Sequence, residues 1–141
     1  MRRLVALVVA AFASTVIGCG ADGPVAPTQP SIVGTWKLVS INGSPLPYPL
    51  LSGGPSLDYL SDQLSVSANG HYTEAAVLRE TSNGVVSSRS NNDVGTYTIT
   101  GSAAAFHSGR FITANSLGSG TWSGNTLTVD MGGLSLAYSK Q

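Results

Sequence analysis

The sequence contains a single cysteine, Cys19, and only two histidines. One cysteine cannot form a disulfide within the chain, so the fold must depend on its core and its backbone hydrogen bonds. His71 and His107 have neither the spacing nor the cysteine neighbours that are typical of a metal site. We therefore expect no metal and no other cofactor.

Charged residues are also scarce, at 10% of the chain. Residues 19–141 keep five basic and seven acidic side chains, without a basic patch, so nucleic acid is not an expected partner. Glycine, serine and threonine are plentiful instead. This composition disfavours long helices and favours short β-strands joined by tight turns.

Recognisable catalytic motifs are missing from the sequence. There is no Gly-x-Ser-x-Gly elbow, no Cys–His pair and no phosphate-binding glycine loop. Glu74 and Glu80 are an even number of residues apart, but such a pair without a cleft motif is typical of a solvated strand face. We expect a protein that is not an enzyme, with catalysis kept only as a third hypothesis.

The first residues have the organisation of a secretory leader. Arg2 and Arg3 precede an apolar stretch over residues 4–17, which is shorter than the roughly 20 residues needed to span a bilayer. This pattern predicts a cleaved signal peptide over residues 1–18, with a transmembrane anchor as the weaker alternative.

Val16-Ile17-Gly18-Cys19 resembles the lipobox of bacterial lipoproteins. The resemblance implies that Cys19 becomes the first residue of the mature protein and carries a diacylglycerol thioether, with a further acyl chain such as palmitate on its amino group. It also implies attachment to a membrane of the bacterial cell envelope. Because Gly20 rather than aspartate follows, the outer membrane is expected if the cell has two. An ordinary buried thiol is the alternative for Cys19.

The segment that follows the lipobox has the composition of a tether. Residues 19–31 include three prolines and no apolar periodicity, which predicts an extended, disordered linker.

From residue 32 onward, apolar residues alternate with polar ones between short turn signals. These strands, eight or nine in number, predict an antiparallel up-and-down meander closing into a barrel, with an immunoglobulin-like sandwich as the alternative all-β fold. Four prolines and a glycine pair are expected to exclude regular structure from residues 44–56, and a helical turn is expected over 57–60. The expected turns are Asn42-Gly43, Asn69-Gly70, Asn83-Gly84, Asn91-Asn92-Asp93, Gly124-Asn125 and Gly132-Gly133.

Gly34-Thr35-Trp36 matches the Gly-x-Trp signature of lipocalins. Residues 32–47, 94–99 and 120–128 are similar to bacterial lipocalin-like (calycin-type) domains. The resemblance implies a barrel domain over residues 32–141, with Trp36 closing its floor. Lipocalins pack an arginine across this tryptophan, and Lys140 is expected to take that place through a cation–π contact.

Several aromatic residues are candidates for contacting a small ligand. Tyr72, Tyr97, Tyr138 and Trp122 are expected to point inward, where they would either line a pocket or fill the core. Tyr48 lies on the proline-rich loop, which either packs over the barrel mouth or contacts a partner. Four small residues expected to face inward are compatible with a cavity without establishing one: Ala68, Ala76, Thr96 and Ser119.

Two functions remain open on these grounds. The first is a membrane-anchored envelope lipoprotein whose barrel binds a small apolar or amphipathic ligand. The alternative is a non-enzymatic structural or protein-interaction lipoprotein with a filled barrel.

Overall fold

The computed structural model describes residues 31–109 and 116–141, which form ten β-strands and no helix. Accordingly, no described helix is long and apolar enough to cross a membrane. The predicted signal peptide, Cys19 and the tether up to residue 30 lie outside the described residues. The strands are β1 Gly34–Ile41, β2 Ser44–Pro45, β3 Tyr48–Leu51, β4 Pro55–Val66, β5 His71–Ser82, β6 Val85–Thr100, β7 Ala103–Ser108, β8 Ser116–Ser123, β9 Thr126–Met131 and β10 Leu134–Lys140.

Eight of the described strands close into an antiparallel barrel. From β4 to β10 each strand pairs with the next, and β1 pairs with both β10 and β4. Trp36 lies at this closure, with Lys140 as its partner on one side and Leu64 on the other. The predicted up-and-down barrel is confirmed, its closure excludes the sandwich, and the architecture is compatible with a lipocalin-like fold. Two extra strands, β2 and β3, pair with β1 and β4.

Two of the predicted hairpin turns have the backbone conformation that their sequences favour. Asn42-Gly43 joins β1 to β2, with φ angles of 50° and 77°. Asn83-Gly84 joins β5 to β6, with φ angles of 51° and 78°. Positive φ at both central residues is the geometry of the type I′ turn, which follows the natural twist of paired strands.

Three local expectations are wrong. Residues 91–93 continue β6 and pair with residues 74–76 of β5, because the long β5 ladder gives their backbone groups partners. Residues 57–60 belong to β4 rather than to a helical turn. The proline-rich segment contains β2 and β3, since both are edge strands, where a missing backbone N–H is tolerated.

Large side chains fill the barrel interior. The Phe106 ring meets Tyr72 edge-on at 5.4 Å between ring centroids and lies 6.2 Å from Tyr97. Fifteen buried residues form one continuous core: Ile32, Trp36, Leu38, Ile41, Leu64, Val66, Tyr72, Tyr97, Ala104, Phe106, Trp122, Leu127, Val129, Leu136 and Tyr138.

The expectation that four small residues face inward is wrong for three of them. Ala76 is buried, but Ala68, Thr96 and Ser119 are exposed. On β6, for example, Tyr97 points inward, so its neighbour Thr96 must point outward.

Three strands continue past the closed barrel. Among the described strands, residues 85–92 of β6 pair with β5 alone, and residues 55–59 of β4 lie between β3 and β5. We call this part the sheet extension: Tyr48–Leu51, residues 55–59, residues 78–82 and residues 85–89.

Candidate functional site

One face of the sheet extension continues the inner surface of the barrel. In an antiparallel sheet, directly paired residues stand on the same side. Leu51 pairs with Leu57, Leu57 with Glu80, and Leu78 with Arg89. Leu78 and Glu80 both belong to the inward-facing series of β5. The residues that pair with them, directly or through a neighbour, therefore lie on the inner face as well.

This inner face forms an open groove of about 220 Å³, which we call the vestibule. Leu51 contributes an exposed apolar side chain, 58% accessible, while Glu80 and Arg89 contribute opposite charges. Its lining residues are Leu51, Pro55, Ser56, Leu57, Glu80 and Arg89. A concave surface with apolar walls and a few charged groups is the usual composition of a small-molecule site.

The segment between β1 and β4 covers the barrel mouth beside the vestibule. Leu46 and Tyr48 are half-buried and pack against the core. The Tyr48 hydroxyl accepts a hydrogen bond from Asn42 Nδ2 at 3.1 Å, which fixes the ring at the end of β1. Of the two expectations for this loop, packing over the mouth describes Leu46 and Tyr48, whereas Leu51 stays exposed in the vestibule.

Three carboxylates lie on the inner face deeper in the barrel, where sequence reasoning placed no acid. Asp62, Glu74 and Asp93 are 1%, 8% and 6% accessible. Glu74 and Asp93 pair directly across β5 and β6, and Asp62 pairs with Ala76, two residues further along β5. The three acids therefore occupy neighbouring positions on three adjacent strands.

Tyrosine hydroxyls donate to two of these acids. Asp62 Oδ2 accepts hydrogen bonds from Tyr138 at 2.7 Å and from Tyr59 at 3.1 Å. Asp93 Oδ2 accepts one from Tyr72 at 2.9 Å. We call these six residues the carboxylate–tyrosine cluster: Asp62, Glu74, Asp93, Tyr59, Tyr72 and Tyr138.

The second oxygens of two acids are left without donors. Within the described part of the chain, Asp62 Oδ1 and Asp93 Oδ1 are buried and have no hydrogen-bond partner. A buried polar atom in this condition is costly, because burial removes the water that would otherwise solvate it. Over the described residues, no group of three or more acids, histidines or cysteines has the arrangement needed to hold a metal ion.

The tyrosines of the cluster are held in their neutral form. Burial, followed by the charge of Asp62, raises the pKa of Tyr59 and of Tyr138 well above the ordinary value. Burial also raises the pKa of Tyr72, as do its hydrogen bond to Asp93 and the charge of that acid, although a hydrogen bond with Ser108 opposes the shift. The charge of Glu74 also raises the pKa of all three tyrosines, those bonded to Asp62 and the one bonded to Asp93.

Trp36 and Lys140 come together at the floor of the barrel. The Trp36 side chain is fully buried, and its Nε1 donates to the Ile32 carbonyl at 2.7 Å. Lys140 Nζ lies 5.1 Å from the centroid of the indole ring and donates to the Ser31 carbonyl at 2.6 Å. The lysine thus caps the tryptophan as the resemblance to lipocalins implies.

The structure separates the predicted ligand contacts into different regions. Tyr72 and Tyr138 belong to the carboxylate–tyrosine cluster, and Tyr48 lies at the mouth. Tyr97 donates to the Ser67 carbonyl at 2.7 Å, so that its hydroxyl is engaged by backbone. Trp122 is packed into the core.

Sequence reasoning missed the acids and the vestibule. The interpretation of Glu74 as part of a solvated face is wrong, since it lies between Tyr72 and Ala76 in the inward series of β5. The signal was present in the alternation: an acid at an inward position between apolar residues is costly to bury and therefore notable. Arg89 and Leu57 had no such signal, because their placement depends on the strand register.

Comparison with known proteins does not identify a family or a function for this site. No family model matches the chain, and neither does any curated protein or solved structure with which it was compared.

Proposed function

We propose that this chain is an envelope lipoprotein whose barrel binds a small amphipathic molecule at the vestibule. The observation that carries the proposal is the shared inner face of the sheet, which runs from the exposed Leu51 and the half-buried Leu57 to the buried Asp62 and Asp93. The vestibule end of this face is open and mostly apolar, with Glu80 and Arg89 as its charged groups, and the other end is polar and buried. An amphipathic molecule has the same division.

The filled core leaves the vestibule as the open place for the apolar part of the ligand. Trp36, Phe106 and Trp122 occupy the interior that a ligand would otherwise take. The vestibule volume of about 220 Å³ is below the roughly 300–1,000 Å³ of drug-sized pockets. It is therefore suited to a short chain or to one end of a longer molecule.

The anchor is the second part of the proposal. The leader and the lipobox-like Val16-Ile17-Gly18-Cys19 support lipidation of Cys19, and the three prolines of residues 19–31 support an extended tether. Each buried methylene contributes about 0.8 kcal/mol to membrane binding, so two or three acyl chains would hold the protein firmly. The barrel would then sit above a membrane of the cell envelope, the outer one where there are two.

Binding is tested by titrating the full chain with octanol, octylamine and octanoate in isothermal titration calorimetry. We expect at least one probe to bind, and Leu51→Ser to weaken that binding several-fold. Val39→Ser is the matched control, because Val39 is a similarly exposed apolar residue, 50% accessible, on β1. The proposal fails if no probe binds, or if both variants weaken binding equally.

A second candidate function, contact with a protein partner, is favoured by the tip of the sheet extension. Val85 and Val86 are 68% and 62% accessible, and no described strand other than β5 pairs with residues 85–92. Such an edge can accept an added strand from another chain. In-cell crosslinking distinguishes this function: Val86→Lys should remove crosslinked partners, and Val39→Lys should leave them unchanged.

A further inference from the structure

We infer that the ligand of the vestibule carries a primary ammonium group, which binds at Asp62 and Asp93 of the carboxylate–tyrosine cluster. This inference rests on the proposed function and names the chemistry of the ligand head group.

The first argument is that Asp62 and Asp93 each have one buried oxygen that accepts no hydrogen bond from the described residues. Both side chains are more than nine-tenths buried, and each has one oxygen bonded by tyrosine and one without a donor among the described residues. Tyrosine hydroxyls are neutral donors, so they bind a carboxylate without compensating its charge. Buried carboxylates are stable when a cation or several N–H donors pair with them. An ammonium group supplies both a positive charge and three donors.

The second argument is that the described cations are kept away from these two carboxylates on the inner face. Lys37 lines a surface pocket together with Asp62, but its side chain is exposed and lies between two buried neighbours on β1, so it points to the outer face. On the inner face, the basic residue nearest in sequence to Asp93 is Arg89, four residues away along β6. At about 3.4 Å per strand residue this separation is near 14 Å. Arg89 instead lines the vestibule beside Glu80. Lys140 is engaged with Trp36 and Ser31 at the barrel floor, and Arg79 pairs with Asp58.

The third argument is the spacing of the acids. Glu74 and Asp93 are directly opposite one another on adjacent strands, and Asp62 is diagonal to Glu74. In antiparallel sheets, such neighbours have Cβ atoms about 4.5–5.5 Å and about 7–8 Å apart, respectively. Glu74 lies on the strand between Asp62 and Asp93, so a head group beside Glu74 is one strand away from each of the other two acids.

The fourth argument is the distance between the vestibule and the acids along the shared inner face. Ala76, level with Asp62, and Glu80, level with Leu57, are four residues apart on β5, which is about 14 Å of strand. Leu78 and Tyr59 lie between them on the same face. A ligand whose head group reaches the acids would place its alkyl chain along Tyr59 and Leu78 toward Leu57.

The experiment compares octylamine, octanol and octanoate, which share a chain and differ in the head group, on the full chain near pH 7. We expect octylamine to bind at least tenfold more tightly than octanol, and octanoate to bind more weakly than either. Asp62→Asn and Asp93→Asn should each remove most of the preference for octylamine. Both substitutions keep the shape of the side chain and an oxygen that can accept the tyrosine hydrogen bond.

Asp130→Asn is the matched control, since Asp130 is an exposed acid on β9 and should leave the preference unchanged. Thermal unfolding of each variant shows whether it has folded, and the two aspartate sites provide independent tests. Equal binding of the three probes, or a preference for octanoate, would overturn the inference while leaving the proposed function intact. A preference for octylamine that survives both substitutions would also overturn it. If no probe binds, both proposals fail.

Discussion

The Tyr138 hydroxyl donates a hydrogen bond to Asp62 Oδ2 at 2.7 Å, joining two residues that are 76 positions apart in the sequence. Tyr138 is on β10 and Asp62 on β4, the two strands that flank β1 at the barrel closure. The bond therefore connects the two sides of the closure through the interior. It also satisfies an oxygen of an acid that has almost no contact with water.

Tyr138→Phe should lower the free energy of unfolding by about 1.5–3 kcal/mol, the range for a hydrogen bond to a charged group. The substitution removes the hydroxyl but keeps the ring, so the core packing is retained. Tyr48→Phe is the control: its hydroxyl accepts an exposed hydrogen bond from Asn42, and its loss should cost less than 1.5 kcal/mol. Urea unfolding measures the stability of both variants. Equal decreases in the free energy of unfolding would show that the bond to Asp62 stabilises the fold no more than the exposed bond of Tyr48.

The raised pKa values of Tyr59, Tyr72 and Tyr138 predict how stability changes at alkaline pH. In the unfolded chain these groups ionise near pH 10, whereas the folded protein keeps them protonated to higher pH. The folded state therefore binds more protons above pH 10, so stability is fully present below that pH and falls as the pH rises beyond it.

Absorbance of the phenolate should consequently show that these three tyrosines do not ionise until the protein unfolds. Tyr72→Phe should reduce the slope of stability against pH above pH 10, because one shifted group has been removed. A slope identical to that of the unchanged chain would contradict the assignment of Tyr72 to this group.

The barrel could be predicted from the sequence because its signals are local. Alternating residues such as Leu127 and Val129, and turns such as Asn83-Gly84, depend only on neighbouring positions. The middle of β6 could not be predicted in this way: Asn91-Asn92-Asp93 has the composition of a turn, yet its pairing with residues of β5 keeps it extended. The turn preference of these three residues is outweighed by their backbone hydrogen bonds to a strand that is distant in the sequence.

The same distinction explains why the site was only partly predicted. Tyr72 and Tyr138 were candidates because an inward aromatic residue is evident from alternation. That their hydroxyls meet Asp93 and Asp62 depends on which strands close the barrel, and the register of that closure is not a local property. The vestibule depends likewise on how far β4, β5 and β6 extend beyond β1.

Gly95→Ala should strongly destabilise the barrel. Gly95 is on β6 beneath the Tyr72 ring, and an added Cβ would lie 2.7 Å from Tyr72 Cε1 and would also clash with the His107 carbonyl. Because the clash involves backbone and a packed ring, we expect a loss of about 1–3 kcal/mol or more, as in overpacked cores. Gly54→Ala is the control, since no atom lies within 4 Å of its added Cβ. Thermal unfolding should separate the two variants, and similar melting temperatures would contradict the close approach at Gly95.

Lys140→Met should destabilise the barrel floor by about 1 kcal/mol through loss of the cation–π contact with Trp36. Methionine keeps much of the aliphatic length, so the lost charge is the main change. Lys140→Arg should retain most of the stability, because arginine also packs over an indole ring. Lys37→Met, an exposed lysine on β1, is the matched control and should have little effect. Chemical unfolding followed by tryptophan fluorescence measures all three, and equal effects of the two methionine variants would contradict a role for the contact.

Cys19→Ser should abolish attachment to the membrane, because a hydroxyl cannot receive the diacylglycerol that a thiol accepts in the lipoprotein pathway. Metabolic labelling with a fatty acid should mark the unchanged chain and not the variant, and fractionation should move the variant out of the membrane fraction. Gly20→Asp is the matched control: it should still be labelled, since the thiol is present. In a cell with two membranes it should shift from the outer to the inner one. Retention of Cys19→Ser in the membrane fraction after its leader is cleaved would show that another part of the chain makes the attachment.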